Sequence, residues 1–178
     1  MAGKSSNPLN IGDKLDEEDI LRRLKRVDEN GSKVDAIVSS IVDSYCKELD
    51  KFINEIYKLV SDKSMDVPDV DIEYMALQLP CLMYFTSDKL EDLGLREDIS
   101  RGVEKETYNN IMLNTEGTVS SRESAAQMAS QKDALITAIN SRAYRKIKAR
   151  IEFATETLGS LKKVMANRIS NRELSART

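Results

Sequence analysis

From Ser120 onward the sequence contains no proline and a single glycine, Gly159. Apolar residues recur here in steps of three or four, the spacing that puts side chains on one face of an α-helix. The repeating positions are Leu135, Ile139, Ala143, Ile147, Ile151, Ala154, Leu158, Leu161, Met165 and Ile169. This pattern predicts one helix over about residues 120–170, near 75 Å long at about 1.5 Å per residue. Because so long a helix is not stable alone in water, it must pack along its length.

A second long helix is predicted over about residues 33–62. Its apolar seam has nearly heptad spacing, which is typical of helices that pair side by side. The seam is Val34, Val38, Ile41, Tyr45, Leu49, Phe52, Ile56 and Leu59. Aromatic residues make up only 5% of the chain and there are only three prolines, which disfavours a sandwich or barrel. We therefore expect an all-α, elongated helical bundle with two long amphipathic helices packed as in coiled coils.

Residues that break or cap helices predict shorter elements between the two long helices. Asn30-Gly31 is expected to end a first helix, and Gly94 to end a later one. Pro80 is expected to kink or break that later helix near Leu79. The apolar run Met75–Phe85 is interpreted as core, with a partner-binding surface as the alternative.

The boundaries of the last helix follow from its flanking residues. Asn114–Gly117 predicts a turn. Ser120 and Glu123 fit a capping box at the start of the helix that follows. Residues 1–13 are predicted to be a flexible arm, because they offer few apolar anchors. Residues 14–178 are then a single helical domain, with an acidic body over 14–118 and a basic helix over 119–172.

Charge is distributed unevenly along the chain. Residues 1–139 carry a net charge of −10 and residues 140–178 a net charge of +7, within a total of −3. A basic end on an acidic body favours binding to a polyanion, head-to-tail self-association, or both.

Several classes of catalytic and metal sites are excluded or disfavoured. The chain has no histidine, so Cys46 and Cys81 cannot form a thiolate–imidazole pair or a Cys/His zinc site within one chain. Gly-rich phosphate loops and nucleophile elbows are absent. The acidic stretch over residues 62–73 lacks the spacing of a calcium loop and is interpreted as a solvated linker. We expect no enzymatic activity, no cofactor and no metal.

The predicted location is the cytoplasm, which for a viral protein is the cytoplasm of the host. Two cysteines do not form a disulfide framework, which favours a reducing compartment. No stretch approaches the roughly 20 apolar residues that cross a bilayer.

The strongest local signal is the basic segment Arg142–Arg150. Five of its nine residues are cationic and none is acidic. Such an array on a helix can follow the phosphates of a single strand while an aromatic ring stacks on a base. The predicted nucleic-acid-binding residues are Arg142, Tyr144, Arg145, Lys146, Lys148 and Arg150. Two other interpretations stay open: a solvated helix face, or pairing with acidic helices of a second copy or of another protein.

The C-terminal helix resembles the end of UvsY-type phage recombination mediators. The resemblance rests on Lys132-Asp133 before an aliphatic run, Ile151-Glu152-Phe153, Leu158, Leu161-Lys162-Lys163 and Asn167-Arg168-Ile169. The string Ile147-Lys148-Ala149-Arg150 is similar to the Lys-x-Arg motif that this family uses on single-stranded DNA. The resemblance covers about 40 residues.

Membership of that family would imply a ring-like homo-oligomer that binds single strands. It would help to load a recombinase onto DNA covered by single-strand-binding protein. We therefore expect a single-stranded nucleic-acid-binding accessory protein of phage-type recombination or replication. The alternative is a non-enzymatic structural or adaptor oligomer that uses its basic helix for protein–protein contacts.

Overall fold

A computed structural model describes residues 17–62 and 67–176 and consists there of three α-helices. The helices are α1 (Glu17–Asp62), α2 (Asp69–Asn114) and α3 (Val119–Ser175). Within these ranges there is no β-strand, and the predicted all-α fold is confirmed. The predicted arm over residues 1–13 and the middle of the acidic linker lie outside the described residues.

The helices α1 and α2 are longer than predicted from their helix-breaking residues. Asn30-Gly31 lies inside α1 and Gly94 lies inside α2, so the helix ends predicted at these two sites are wrong. Pro80 also lies inside α2, so the helix does not break there. A glycine costs about 1 kcal/mol in a helix interior, which favourable neighbours outweigh. Pro80 is exposed, and the residue before it, Leu79, is fully buried. Packing of the core face therefore continues through the proline and holds α2 together.

The last helix begins as predicted but with a different cap. Gly117 has φ +121° and forms the turn after α2. The hydroxyl of Thr118 accepts a hydrogen bond from the backbone N–H of Ser121 at 3.3 Å, so Thr118 is the N-cap. The predicted capping box of Ser120 and Glu123 is wrong, because the helix starts at Val119, before Ser120.

The chain divides into two compact units between Ala36 and Ile37. In the first unit the described residues form the beginning of α1. Asp19 pairs there with Arg23 at 2.8 Å and with Arg22 at 4.0 Å, in the i,i+4 and i,i+3 positions that stabilise helices.

The second unit contains the rest of α1 together with α2 and α3, and all three helices contribute to one core. Its central cluster is Leu49, Phe52, Ile56, Val67, Ile72, Met75, Leu79, Ala154 and Leu161. The predicted α1 seam is correct from Leu49 onward. Before that point Val38 is buried as predicted, but Val42 and Cys46 are buried in place of Ile41 and Tyr45, which are half-buried.

Polar contacts between α2 and α3 fix their antiparallel register. Thr107 donates to Asp133 at 2.8 Å and, toward the other end of the pair, Arg168 donates to Asp69 at 2.7 Å. Two helical turns from the Thr107–Asp133 contact, Asn140 donates to Ser100 at 2.8 Å. None of the helices in the described ranges is long and apolar enough to cross a membrane.

Candidate nucleic-acid interface

The rotation of α3 is fixed by two fully buried side chains within the basic segment. Ala143 and Ile147 are both 0% exposed and face the core. At 100° per residue this turns Arg142, Arg145 and Lys148 toward solvent, and all three are exposed. Their Cα atoms span about 9 Å along the helix axis. We call these three residues the exposed triad.

The triad is not used to hold the fold together. Among the described residues, no carboxylate forms an ion pair with Arg142, Arg145 or Lys148. Arg145 donates only to the Ser141 carbonyl of its own helix, at 3.3 Å. The triad thus presents three cations that a phosphate backbone can reach.

Arg150 lies apart from the triad and is held by α1. Its guanidinium donates to Asp50 and lies 3.6 Å from a carboxylate oxygen of Asp43. Burial raises the pKa of Asp50, and the charge of Arg150 opposes that rise. Arg150 is thus committed to an internal ion pair.

Tyr144 is half-buried, and its ring lies against α2. A β-carbon placed on Gly94 would stand 3.4 Å from the ring carbon Cε2. The ring borders a cavity that also contacts Glu91, Glu97 and Asp98. These carboxylates disfavour a phosphate beside the ring. The remaining predicted residue, Lys146, is exposed.

The cations near the end of α3 have a structural role. Arg168 donates to the Val67 carbonyl at 2.6 Å and to Asp69 at 2.7 Å, and Arg172 donates to Asp69 as well. The hydrogen bond from Arg168 lowers the pKa of Asp69, and the charge of Arg172 adds to the effect. These contacts join the end of α3 to the first turn of α2.

An exposed aromatic pair was missed by the sequence interpretation. Tyr57 of α1 and Phe153 of α3 are 70% and 56% exposed and line an apolar cavity of about 320 Å³. Phe153 lies off the predicted apolar stripe of α3, and that offset was the available signal. Phe153 follows Lys148 by five residues on the same helix, and its ring lies on the side of α3 that faces α1.

The thiols offer no chemistry that can be assigned. Cys46 is buried, and this burial raises the pKa of its thiol, whereas Cys81 is exposed; both are free. In the part of the chain that the structure describes, no group of histidine, cysteine or carboxylate side chains could hold a metal ion.

In comparisons with known proteins, no family model, no curated protein and no solved structure matches this sequence.

Proposed function

We propose that this chain is a non-enzymatic accessory protein that binds single-stranded nucleic acid through the exposed triad Arg142, Arg145 and Lys148. The observation that carries the proposal is that some cations of α3 form internal ion pairs and others are exposed. Arg150 and Arg168 are bound to carboxylates of α1 and α2, whereas the triad is exposed and unpaired. Cations that stabilise a fold are normally paired in this way. The triad is left open in the basic segment and is available to phosphates.

One chain offers too few cations for tight binding. Three phosphate contacts predict a slope of about 2 in the log–log dependence of affinity on salt, at about 0.7 per contact on single strands. This is a weak interaction for one copy. We therefore include homo-oligomerisation in the proposal, because several copies along one strand multiply the contacts.

The resemblance of α3 to UvsY-type mediators supplies the finer part of the proposal. In that role the protein would load a recombinase onto DNA covered by single-strand-binding protein. Both proteins are then proposed partners, and the proposed location is the cytoplasm, that of the host for a phage protein.

The test is fluorescence anisotropy of a labelled single strand of about 30 nucleotides, titrated at low and at moderate salt. Wild type is compared with Arg145→Glu/Lys148→Glu. The matched control is Lys162→Glu/Lys163→Glu, which makes the same charge change at two exposed lysines farther along α3. Light scattering checks that all three proteins have the same mass.

We expect wild type and the control to bind in the micromolar range or tighter, and the triad variant to lose binding. No binding by wild type at low salt would overturn the proposal. Equal losses in the triad variant and the control would also overturn it, because binding would then follow net charge.

A second candidate is an adaptor oligomer whose basic helix makes protein–protein contacts. It is favoured by the internal ion pairs of Arg150 and Arg168, in which α3 already binds carboxylates of other helices. In the same experiment this candidate predicts that wild type does not bind single strands. It also predicts that Arg145→Glu/Lys148→Glu forms a smaller oligomer, with a lower mass in light scattering.

A further inference from the structure

Helix α2 is apolar on two opposite faces. One face packs in the core, and the other is exposed, although the ring of Tyr74 at one end of it lies edge-on to Phe52 of α1. The buried face is formed by Ile72, Met75, Leu79, Thr86, Leu90 and Leu93. On the opposite side a second line of apolar residues has steps of 4, 3, 4 and 3. This outer seam is Val70, Tyr74, Leu77, Cys81 and Tyr84, and every member is exposed.

The outer seam has the spacing of a helix-pairing surface. Alternating steps of four and three are the heptad pattern by which one helix packs along another. Leu77 is 75% exposed and Tyr84 is 70% exposed, and Phe85 lies edge-on to Tyr84 with ring centroids 5.6 Å apart. A contiguous exposed apolar surface of this kind is typical of a protein-binding site.

The charges around the outer seam define what can bind there. Residues 74–87 contain no charged side chain. Beyond one end of this stretch lies Glu73, and beyond the other lie Asp88, Glu91 and Asp92, all exposed. Lys89 is the single cation between Asp69 and Leu95. An apolar strip with acidic ends is complementary to a helix that has an apolar stripe and cationic ends.

We infer that the outer seam of α2 is a docking site for a cationic amphipathic helix of another protein. The partner helix lays apolar residues at heptad spacing along Leu77, Cys81 and Tyr84. Its terminal cations meet Glu73 at one end and Glu91 with Asp92 at the other. The two acidic ends are about 27 Å apart along α2, so the partner helix needs about five turns.

A second copy of the chain fits this seam poorly. Pairing two outer seams in parallel would bring the acidic ends of both copies together, which is unfavourable. The beginning of α1 has exposed apolar residues and the cations Arg22 to Arg26, but acidic residues stand at its two ends, where the seam requires cations. The exposed cations of α3 do not offer the required helix either. Beside Arg145 and Lys148 the solvent face carries Ala149 and Glu152, and neither is a large apolar side chain. Charge and shape together thus favour a different protein, and this inference does not depend on nucleic-acid binding.

The test uses a labelled synthetic helix of about 21 residues, with leucines at heptad spacing and lysines in its first and last turns. A second peptide has glutamates in place of those lysines. Both are titrated with the full chain as wild type, as Leu77→Glu/Tyr84→Glu and as Glu91→Lys/Asp92→Lys. The matched control is Met128→Glu on α3, where the side chain is 78% exposed and lies off the seam. Circular dichroism checks that each variant is folded, and sedimentation gives its mass.

We expect the cationic peptide to bind wild type and Met128→Glu alike, and the acidic peptide to bind at least roughly tenfold more weakly. Leu77→Glu/Tyr84→Glu should lose the cationic peptide, and Glu91→Lys/Asp92→Lys should weaken it. Arg145→Glu/Lys148→Glu should bind the peptide like wild type, which separates this inference from the proposed function.

Three results would overturn the inference. The first is equal binding of both peptides, which would show that binding is non-specific hydrophobic association without a contribution from charge. The second is failure of wild type to bind the cationic peptide. The third is a wild-type oligomer that Leu77→Glu/Tyr84→Glu dissociates, which would identify a second copy as the occupant.

Discussion

Arg150 of α3 donates a hydrogen bond to Asp50 of α1. Both side chains are about one-third exposed, so the pair is partly shielded from water. The contact joins helices that are distant in sequence and removes Arg150 from the set of cations open to phosphates. The basic segment therefore has two parts. Arg150 forms an internal ion pair with α1, and the triad is exposed to solvent.

Removing Arg150 should cost stability and little nucleic-acid binding. Arg150→Ala leaves the Asp50 carboxylate half-buried without its partner, and we expect a loss of roughly 1–3 kcal/mol in the free energy of unfolding, after allowing for solvent screening of a partly exposed pair. Asp50→Asn should cost less, because it removes a charge that burial disfavours. Urea denaturation measures both. An Arg150→Ala variant that is as stable as wild type but no longer binds single strands would contradict the assignment.

The contact between Asp69 and Arg168 should appear in the acid stability of the protein. Asp69 has a pKa below its usual value of 3.8 in the folded chain, so its ionised form stabilises the fold. That stabilisation is fully present above about pH 4 and is lost as pH falls below 3.8 through the lowered folded value. Asp69→Asn should therefore show a flatter loss of stability in this acid range than wild type. Parallel curves for the two proteins would contradict the assignment.

Two helical glycines should tolerate, and benefit from, a side chain. A β-carbon on Gly102 or Gly159 would have no neighbouring atom within 4 Å, and both lie inside helices. Gly102→Ala and Gly159→Ala should each raise the free energy of unfolding by about 0.5–1 kcal/mol, because alanine favours the helix. Gly94→Ala should gain less, since its β-carbon would contact Tyr144. Thermal unfolding compares the three, and a loss of stability in Gly102→Ala would show that this position is not a free helix surface.

Substitutions of Tyr144 and Phe153 should differ in their effect on the affinity for single strands. Tyr144 lies against Gly94 beside three carboxylates, so Tyr144→Leu, which removes the ring, should leave the affinity for single strands unchanged. Phe153 is exposed and follows Lys148 by five residues, and Phe153→Ala should weaken binding by about 1 kcal/mol or more if its ring stacks on a base. Anisotropy titrations of both variants measure the difference. The opposite ranking would restore Tyr144 as the stacking residue.

Much of the fold was predictable because the spacing of apolar residues along a helix indicates which face of the helix is buried. The last helix was predicted over 120–170 and extends over Val119–Ser175, since nothing in this stretch competes with its apolar repeat. Gly94 and Pro80 do not interrupt α2, because each destabilises the helix only locally. The buried face of the helix continues on both sides of them. Gly94 also has a packing role against Tyr144 that no single-sequence pattern reveals.

The candidate site was only partly predictable for a different reason. Helical spacing placed Arg145 and Lys148 away from the apolar stripe of α3, and Arg142 on a flank of the helix. It did not reveal that Arg150 meets Asp50, because that pairing depends on which helix packs beside α3. The outer seam of α2 was hidden in the same way. The run Met75–Phe85 proves to be core on one face and exposed on the other, which only the packing of Met75 and Leu79 decides.

The most direct test of the central claim is the salt dependence of binding to a single strand when the triad is neutralised. The triple variant Arg142→Gln/Arg145→Gln/Lys148→Gln removes three cations without adding negative charge. The log–log slope should fall by about 2 per bound protein, at about 0.7 for each phosphate that is no longer neutralised, and the affinity should fall with it. A slope equal to that of wild type would contradict the claim that these three cations contact phosphates.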